Sequence, residues 1–320
     1  MKPLTISSRL MRNFPRDARY LIGVSGGRDS IALLHWLVNL GYNKLIVCHL
    51  NHQLRGQSSA ADARFVQKLA AKYRVGFELG AANVRALARK KKMSLETAAR
   101  EARYSFFARA AKRRRCHKIF LAHHADDLVE TFLLNLIRGA GLTGLGGMRD
   151  VSSRQIHGVD LTILRPLLSI WRSDIDKYVR ECRLRFREDA TNKNLAPTRN
   201  RIRNRIIPYL EKILGRNIRH NVWRTAIIAA EEEKWLDNQV LDSINADLSV
   251  PKLRALPVAL QRRSILKWLR AQNISEIGFD VIERVRLLLD PNVRTAKVNL
   301  PQDRHARRRA KTIFIERCPP

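Results

Sequence analysis

Two apolar rhythms alternate along the first part of the chain. Short runs of strand character stand at Tyr20–Val24, Leu45–Leu50, Val75–Leu79 and Ile119–Ala122. Each is followed by a stretch whose apolar residues return every three to four positions, at Ser30–Asn39, Ser58–Tyr73, Ser94–Arg113 and Asp126–Arg138. Strand and helix in strict alternation predict an α/β fold, a doubly wound parallel sheet. Ser94 reads as an N-cap and Gly139 as a C-cap. Beyond Gly215 the texture changes. No Gly or Pro interrupts Arg216 to Val250, which predicts a long helix linking domains; Pro251 and Pro257 then flank a short connection. Leu260–Ala271 and Phe279–Leu289 read as amphipathic helices, and Ala296–Leu300 with Lys311–Ile315 as strands around a basic turn. The expected organisation is a first domain over 1–215 and a smaller, mainly helical domain over 216–320 that closes with a β-hairpin.

Charge changes the picture. Lys and Arg outnumber Asp and Glu by 61 to 29, a net of +32, and 45% of the 320 residues are hydrophobic. A chain this apolar holds a core, and a charge this large favours a polyanionic partner through phosphate neutralisation and steering. Nucleic acid fits better than a membrane surface, because the basic clusters are scattered among domain elements instead of lining one lipid-facing helix. Those clusters are Lys90–Lys92, Lys112–Arg115, and Arg304, His305, Arg307, Arg308, Arg309 and Lys311. No apolar run reaches the length of a membrane span. Cys48, Cys116, Cys182 and Cys318 are widely separated, which disfavours a disulfide framework or a zinc ribbon and suits a reducing, cytoplasmic setting. Residues 1–16 carry Lys2, Arg9, Arg12 and Arg16 and no acid; a short helix leading into the first strand is preferred over a transit peptide.

The candidate chemistry lies just past the predicted strand ends, where ligands sit in such sheets. After the first strand come Ser25, Gly26, Gly27, Arg28, Asp29 and Ser30; after the second, His49, Leu50, Asn51 and His52; after the fourth, His123, His124, Ala125, Asp126 and Asp127. Two glycines at a helix start let backbone N–H groups curl around an anion, and phosphate is the expected guest. The spacing is neither the Walker nor the dinucleotide pattern. A plain glycine turn is the competing reading. Asp126, Asp127 and Glu130 can cluster on the first turn of one helix while Phe132, Leu133, Leu136 and Ile137 pack its other side. Such oxygens suit Mg²⁺ shared with nucleotide phosphates, or they complement the helix dipole without a metal. The glycine-rich stretch Gly139–Gly147 reads as a loop that orders around substrate or as an ordinary linker.

SGGRDS resembles the PP-loop of the ATP-pyrophosphatase superfamily. It is followed in order by VCHLNHQLRG (47–56), LETAAREARYSFF (95–107), LAHHADDLVETFLLNLIRGAGLTGLGGM (121–148), LRPLLSI (164–170), REDATN (187–192) and RNRIRNRIIPYL (199–210). Together these resemble the tRNA(Ile)-lysidine synthetase family, densely over the first two thirds of the chain and loosely beyond. Leu128 stands where that family usually has Gln, Thr191 where it usually has Ser, and the chain resembles the family's shorter form. The resemblance implies an adenine nucleotide α-hydrolase-like fold. It implies as substrates ATP, free lysine and an isoleucine tRNA with a CAU anticodon, whose wobble cytidine is adenylated and then ligated to lysine with release of pyrophosphate and AMP. Ser25, Gly26, Gly27, Arg28, Asp29, Ser30, His49 and Asn51 would then bind ATP, and Asp29 and Asp127 would hold Mg²⁺. Arg100 or Arg103 would reach the α-phosphate, and His124, Asp126 and Asp127 would contact metal, lysine or a transferred proton. A homodimer stays open. A tRNA thiolase would want paired cysteines, a synthetase acting on small molecules would have no use for the charge, and a non-catalytic RNA-binding protein would leave SGGRDS and HHADD unexplained.

Overall fold

The structure is a computed structural model that describes residues 12–54, 57–187, 198–240, 247–293 and 295–317. Lys2, Arg9, Arg55, Gly56, residues 188–192 of the REDATN motif with Thr191, and Cys318 lie outside the described residues. The chain divides into two compact units, Met1–Ala230 and Glu231–Pro320.

The first unit is built on a six-stranded sheet. Its elements run β1 (Tyr20–Gly23), α1 (Arg28–Asn39), β2 (Leu45–Asn51), α2 (Gln57–Lys72), β3 (Gly76–Ala81), α3 (Val84–Lys90), α4 (Leu95–Arg114), β4 (Lys118–Phe120), α5 (Ala125–Ile137), α6 (Leu142–Leu145), β5 (Val151–Ile156), β6 (Val159–Leu164) and α7 (Arg172–Glu181). The strand order is β3-β2-β1-β4-β6-β5, parallel throughout except for β5. β1 is buried on both faces, which is why its sequence is uninterruptedly apolar. Tyr20 and Ile22 pack with α1, α2 and α7, whereas Leu21 packs with Phe106 and Phe107 of α4. Ser94 caps α4 as expected, its Oγ accepting from the Thr97 amide, and Gly139 takes the left-handed φ of +71° just past the end of α5. From β1 the chain winds outward through β2 to β3, then returns to place β4 on the other side of β1. The resulting switch point between β1 and β4 opens a crevice beyond their carboxyl ends.

Three features depart from the periodicity reading. α3, α7 and the β5–β6 hairpin were not anticipated, and β5 could not be: it is an edge strand whose residues are mostly exposed and polar. Leu136 and Ile137 do not pack with Phe132 and Leu133; they are 51% and 67% exposed, because the covered stripe of α5 ends before its last turn. The Gly139–Gly147 stretch is not a free loop but contains α6, tied back by Asn135 Nδ2 donating to the Gly144 carbonyl at 2.7 Å, with Gly146 against the Ala230 backbone.

The unit closes with α8 (Thr198–Arg201), a π-helical turn over Ile202–Ile206, and α9 (Ile207–Leu214). α10 follows at Arg219–Asn238, shorter than the expected 216–250 helix, and the boundary between the units falls inside it. Leu248 and Ser249 form β7 instead, since Leu248 is drawn into the second core as a strand partner of Ile313.

The second unit holds α11 (Val250–Arg254), α12 (Val258–Ala271), α13 (Phe279–Leu287), β8 (Lys297–Leu300), β9 (Arg304–Arg309) and β10 (Thr312–Arg317) around buried Trp268, Ile265 and Ile313. Its sheet is antiparallel, in the order β7-β10-β9-β8. A closing hairpin is present as β9–β10, but the two strands expected to pair, β8 and β10, each pair with β9 instead. The segment read as its basic turn is the strand β9 itself, because Ala306 supplies a buried inward position that makes an alternating strand of an apparently all-basic run.

Candidate active site

A cavity of about 710 Å³ lies beyond the carboxyl ends of β1, β2 and β4, walled by the β1–α1 loop, His49–His52, Leu121–His123 and residues from α2, α4 and α7. Gly26 has φ +91°, a backbone that side chains resist, and it turns the chain into α1. Ser25 Oγ accepts from the Gly27 amide at 3.2 Å, and Ser30 Oγ donates to the Gly27 carbonyl at 2.9 Å. Ser30 Oγ also accepts from the Ser25 amide at 3.2 Å. The loop is thereby preorganised at the positive end of α1. The Arg187 amide donates to the Gly26 carbonyl at 3.0 Å and clips the loop from outside.

Of the residues expected at the nucleotide, Ser25, Gly27, Arg28, Asp29, Ser30, His49 and Asn51 line the cavity, and Gly26 shapes it from behind. His49 donates from Nδ1 to the Val24 carbonyl at 2.8 Å, and burial lowers its pKa. Asn51 Oδ1 accepts from the Gln53 amide at 2.9 Å. Arg28 turns sideways to Asp176 of α7, at 2.6 Å, and lies over the Phe186 ring.

The second group is organised by α5. His124 is its N-cap, 1% exposed, and its amide donates to Asp127 Oδ2 at 3.1 Å. Asp29 Oδ2 and Asp127 Oδ2 stand 3.8 and 3.5 Å from the same nitrogen, His124 Nε2, so a carboxylate from the β1 loop and one from α5 converge across the switch point. Asp29 Oδ1 is buried with no hydrogen-bond partner. Burial alone would raise the Asp127 pKa, but His124 and Arg199 outweigh it and hold the group at about 2. Among the described residues no three His, Cys, Asp or Glu side chains are arranged to enclose a metal ion. Asp126 lies against the other ring nitrogen, its Oδ2 3.7 Å from His124 Nδ1, but both its oxygens are committed: Oδ1 accepts from Arg219 at 3.1 Å and Oδ2 from the Arg172 amide at 3.0 Å, where it closes the start of α7. Glu130, buried to 1%, spends both oxygens on arginines, with Arg199 Nε at 2.8 Å and Arg203 Nε at 2.5 Å. It is neither an open oxygen ligand nor a simple partner of the helix dipole.

Arginines dominate the cavity wall. Arg28, Arg103, Arg172, Arg187 and Arg203 line it, against the carboxylates Asp29 and Asp62. Arg172 approaches Asp29 Oδ2 at 3.6 Å, and Arg187 pairs with Asp62. Arg103 forms no ion pair among the described residues. Arg100 lies outside the wall, over the Tyr104 ring. Arg172, Arg187 and Arg203 were not singled out by the sequence reading, and His123 was named there without a role. Arg187 and Arg203 sit within quoted motifs and His123 inside HHADD, whereas Arg172 carries no sequence signal.

Several residues of the basic clusters are committed internally. Arg113 and Arg114 both clasp Glu78 at 2.6 Å, and Lys91 pairs with Glu101. In the second unit Arg308 donates to the carbonyls of Leu288, Asp290 and Val293 beyond α13, and Arg304 donates to Gln272. Arg307, Arg309 and Lys311 are exposed, Arg307 facing Glu316 at 2.7 Å. Cys48 and Cys116 are buried free thiols, and burial pushes the Cys48 thiol up.

The PP-loop domain family matches residues 4–210, and the TilS substrate binding domain matches residues 248–314. A tRNA(Ile)-lysidine synthase from Geobacter sulfurreducens is 38% identical over 300 residues, covering 89% of this chain and 62% of the relative. One from Caldanaerobacter subterraneus subsp. tengcongensis is 34% identical, covering 94% and 66%. One from Chlorobaculum tepidum is 36% identical, covering 84% of this chain and 82% of the relative. The chain thus spans somewhat less than two thirds of the first two relatives and most of the third. Among solved structures, a tRNA thiolase from Methanococcus maripaludis with its 4Fe-4S cluster superposes with a TM-score of 0.54 at 18% identity, over 70% of this chain and 74% of that one, a likeness of fold. With a PP-loop cradle at a β1/β4 switch point, a substrate-domain match in the second unit and relatives more than a third identical over the aligned stretch, the chain belongs to the tRNA(Ile)-lysidine synthase family.

Proposed function

We propose that the chain ligates free lysine to the wobble cytidine of an isoleucine tRNA with a CAU anticodon, using ATP and releasing AMP and pyrophosphate. The observation that carries the reading is the convergence of Asp29 and Asp127 beside a phosphate cradle, in a cavity whose wall is richer in arginine than in acid. In the first step the cytidine 2-carbonyl oxygen attacks the α-phosphorus, the α–β bond breaks, and pyrophosphate leaves. In the second the lysine amine attacks the activated carbon and AMP departs. Backbone N–H groups of Gly26, Arg28 and Asp29 hold phosphate oxygens at the start of α1, while Arg203 and Arg172 neutralise charge gathering on the departing group. Arg103, with no carboxylate partner among the described residues, is better placed for the α-phosphate than Arg100.

Mg²⁺ fits as a companion of the nucleotide. The orphaned Asp29 Oδ1 and the Asp127 carboxylate, kept ionised, offer two hard oxygens, and a cation bound by one or two carboxylates completes its shell from phosphate and water. When bound it would neutralise phosphate charge. Exposed Arg307, Arg309 and Lys311 belong to the same proposal as contacts for tRNA phosphates. No helix among the described residues is long and apolar enough to cross a membrane, and a cytoplasmic setting agrees with free thiols.

The test is incubation of the protein with ATP, Mg²⁺, labelled lysine and the CAU-anticodon tRNA, without a sulfur donor. Lysine incorporation with AMP and pyrophosphate is expected, and none into a matching tRNA with uridine at the wobble position, whose 4-carbonyl replaces the exocyclic amine. Release of ADP and phosphate, or equal labelling of both tRNAs, overturns the proposal.

A further inference from the structure

Arg165 is a buried cation, 6% exposed, just past the end of β6, and the chemistry above makes no use of it. It is anchored from several sides. Its amide donates to the Asp150 carbonyl at 2.8 Å, its Nη1 donates to the Arg149 carbonyl at 2.8 Å and to Ser152 Oγ at 2.9 Å, and Tyr104 of α4 hydrogen-bonds the same side chain. Its Nε points at His123 Nδ1 from 3.3 Å.

A guanidinium has donors only, so the nitrogen facing it must accept. An imidazole that accepts on Nδ1 and is uncharged carries its proton on Nε2. His123 belongs to the cavity wall, beside Ala122 and the α4 residues Arg103 and Phe107. We infer that Arg165 is a positioning residue: it fixes His123 in the Nε2–H tautomer, so that the ring presents a hydrogen-bond donor to an oxygen that gains negative charge during adenylyl transfer. The inference rests on the function proposed above for the identity of that oxygen, although the tautomer itself does not depend on it.

The charge state of the ring agrees. Burial is the largest influence on it, and the cations Arg165, Arg199 and Arg103 act in the same direction, against Asp127 alone; together they push its pKa down to about 3. A neutral N–H at such a place polarises an oxygen without offering it a proton that would have to be replaced. Apart from Tyr104, the anchor is made by residues of β5 and its approach, an edge hairpin with no other evident stake in the cavity.

The tautomer is read directly from long-range ¹H–¹⁵N correlations of the full chain labelled at histidine, with His123 assigned by its absence in His123→Gln. A neutral ring protonated at Nε2 is expected between about pH 5 and 8, with Arg165→Gln and the milder Ser152→Ala shifting it toward a mixture, because glutamine both donates and accepts. In lysine ligation, Arg165→Gln should lower kcat by about 10- to 100-fold, the range seen when a ligand's outer partner is lost, with KM for ATP nearly unchanged. His123→Gln, which keeps an N–H donor, should retain more activity than His123→Phe. A ring protonated at Nδ1, a ring that titrates near its ordinary value, or an Arg165→Gln variant with an unchanged tautomer overturns the inference. Should the protein ligate no lysine while the tautomer is as expected, the functional reading fails and this one stands.

Discussion

Asp29 and Glu130 are both acids in an arginine-rich site, yet their environments assign them opposite burdens. Glu130 is buried between Arg199 and Arg203, and removing one member of a buried ionic group strands the others. Glu130→Gln should therefore cost about 3–5 kcal/mol in urea unfolding. Asp29 keeps an oxygen with no partner, a local cost retained at a binding site. Asp29→Asn should abolish turnover while leaving stability equal or higher. If Asp29→Asn unfolds the protein, or Glu130→Gln leaves the urea midpoint unmoved, the assignment is reversed. Proton linkage adds a pH signature. The folded protein refuses a proton at His123 until about pH 3, whereas the unfolded chain takes it up below 6.5, so stability should fall as pH drops through that window. The slope approaches about 1.4 kcal/mol per pH unit. Asp127, held at about 2 against an ordinary 3.8, contributes stability that is complete above 3.8 and lost as pH falls through about 2. Urea midpoints that stay level from about pH 7 down to 5 would show that His123 is not buried as a neutral ring.

Elements form where their residues satisfy a local rhythm, and that is where the sequence was legible. β1, β2, α1, α4 and α5 were readable because each presents an unbroken apolar run or a clean stripe to the two cores flanking the sheet. The cradle was readable because its geometry is local, six residues between one strand and one helix. β5 was not, since its residues are mostly exposed and polar, so it shows neither an unbroken apolar run nor an apolar–polar alternation. The partners of the α5 acids were not readable either, because Arg199, Arg203 and Arg219 arrive 69, 73 and 93 positions after the residues they bind. Only packing brings them in. Close packing also makes a prediction at this scale. A Cβ on Gly80 of β3 would lie 2.5 Å from the Phe106 ring of α4, and the ring is walled in by the core on the α4 face of the sheet. Gly80→Ala should thus cost about 1–3 kcal/mol by overpacking, measured by thermal unfolding, and the gain should return in Gly80→Ala with Phe106→Leu. A neutral Gly80→Ala would mean that sheet and helix separate more easily than their contact implies.

Across the whole molecule, the surplus of cations is smaller in effect than its count. Inward Arg304 and Arg308 satisfy carbonyls and outward Arg307 and Arg309 do not, so the alternation of β9 sorts one basic run into structural and available charge. If tRNA neutralises about six phosphate charges, log affinity against log salt should slope at about −4 to −5. Neutralising Arg307, Arg309 and Lys311 should flatten that slope by about 2. Arg308→Gln should instead lower stability with little change in slope. A triple variant with the parental slope would remove this strand from the RNA surface. The cavity wall, with five arginines against two carboxylates, has a further consequence in the order of events. A wall that welcomes a triphosphate also welcomes the diphosphate fragment cleaved from it, so pyrophosphate should compete with ATP and linger after the first step. Turnover should then quicken when an added pyrophosphatase drains the fragment, which would make this protein's pace depend on how fast its surroundings clear a by-product.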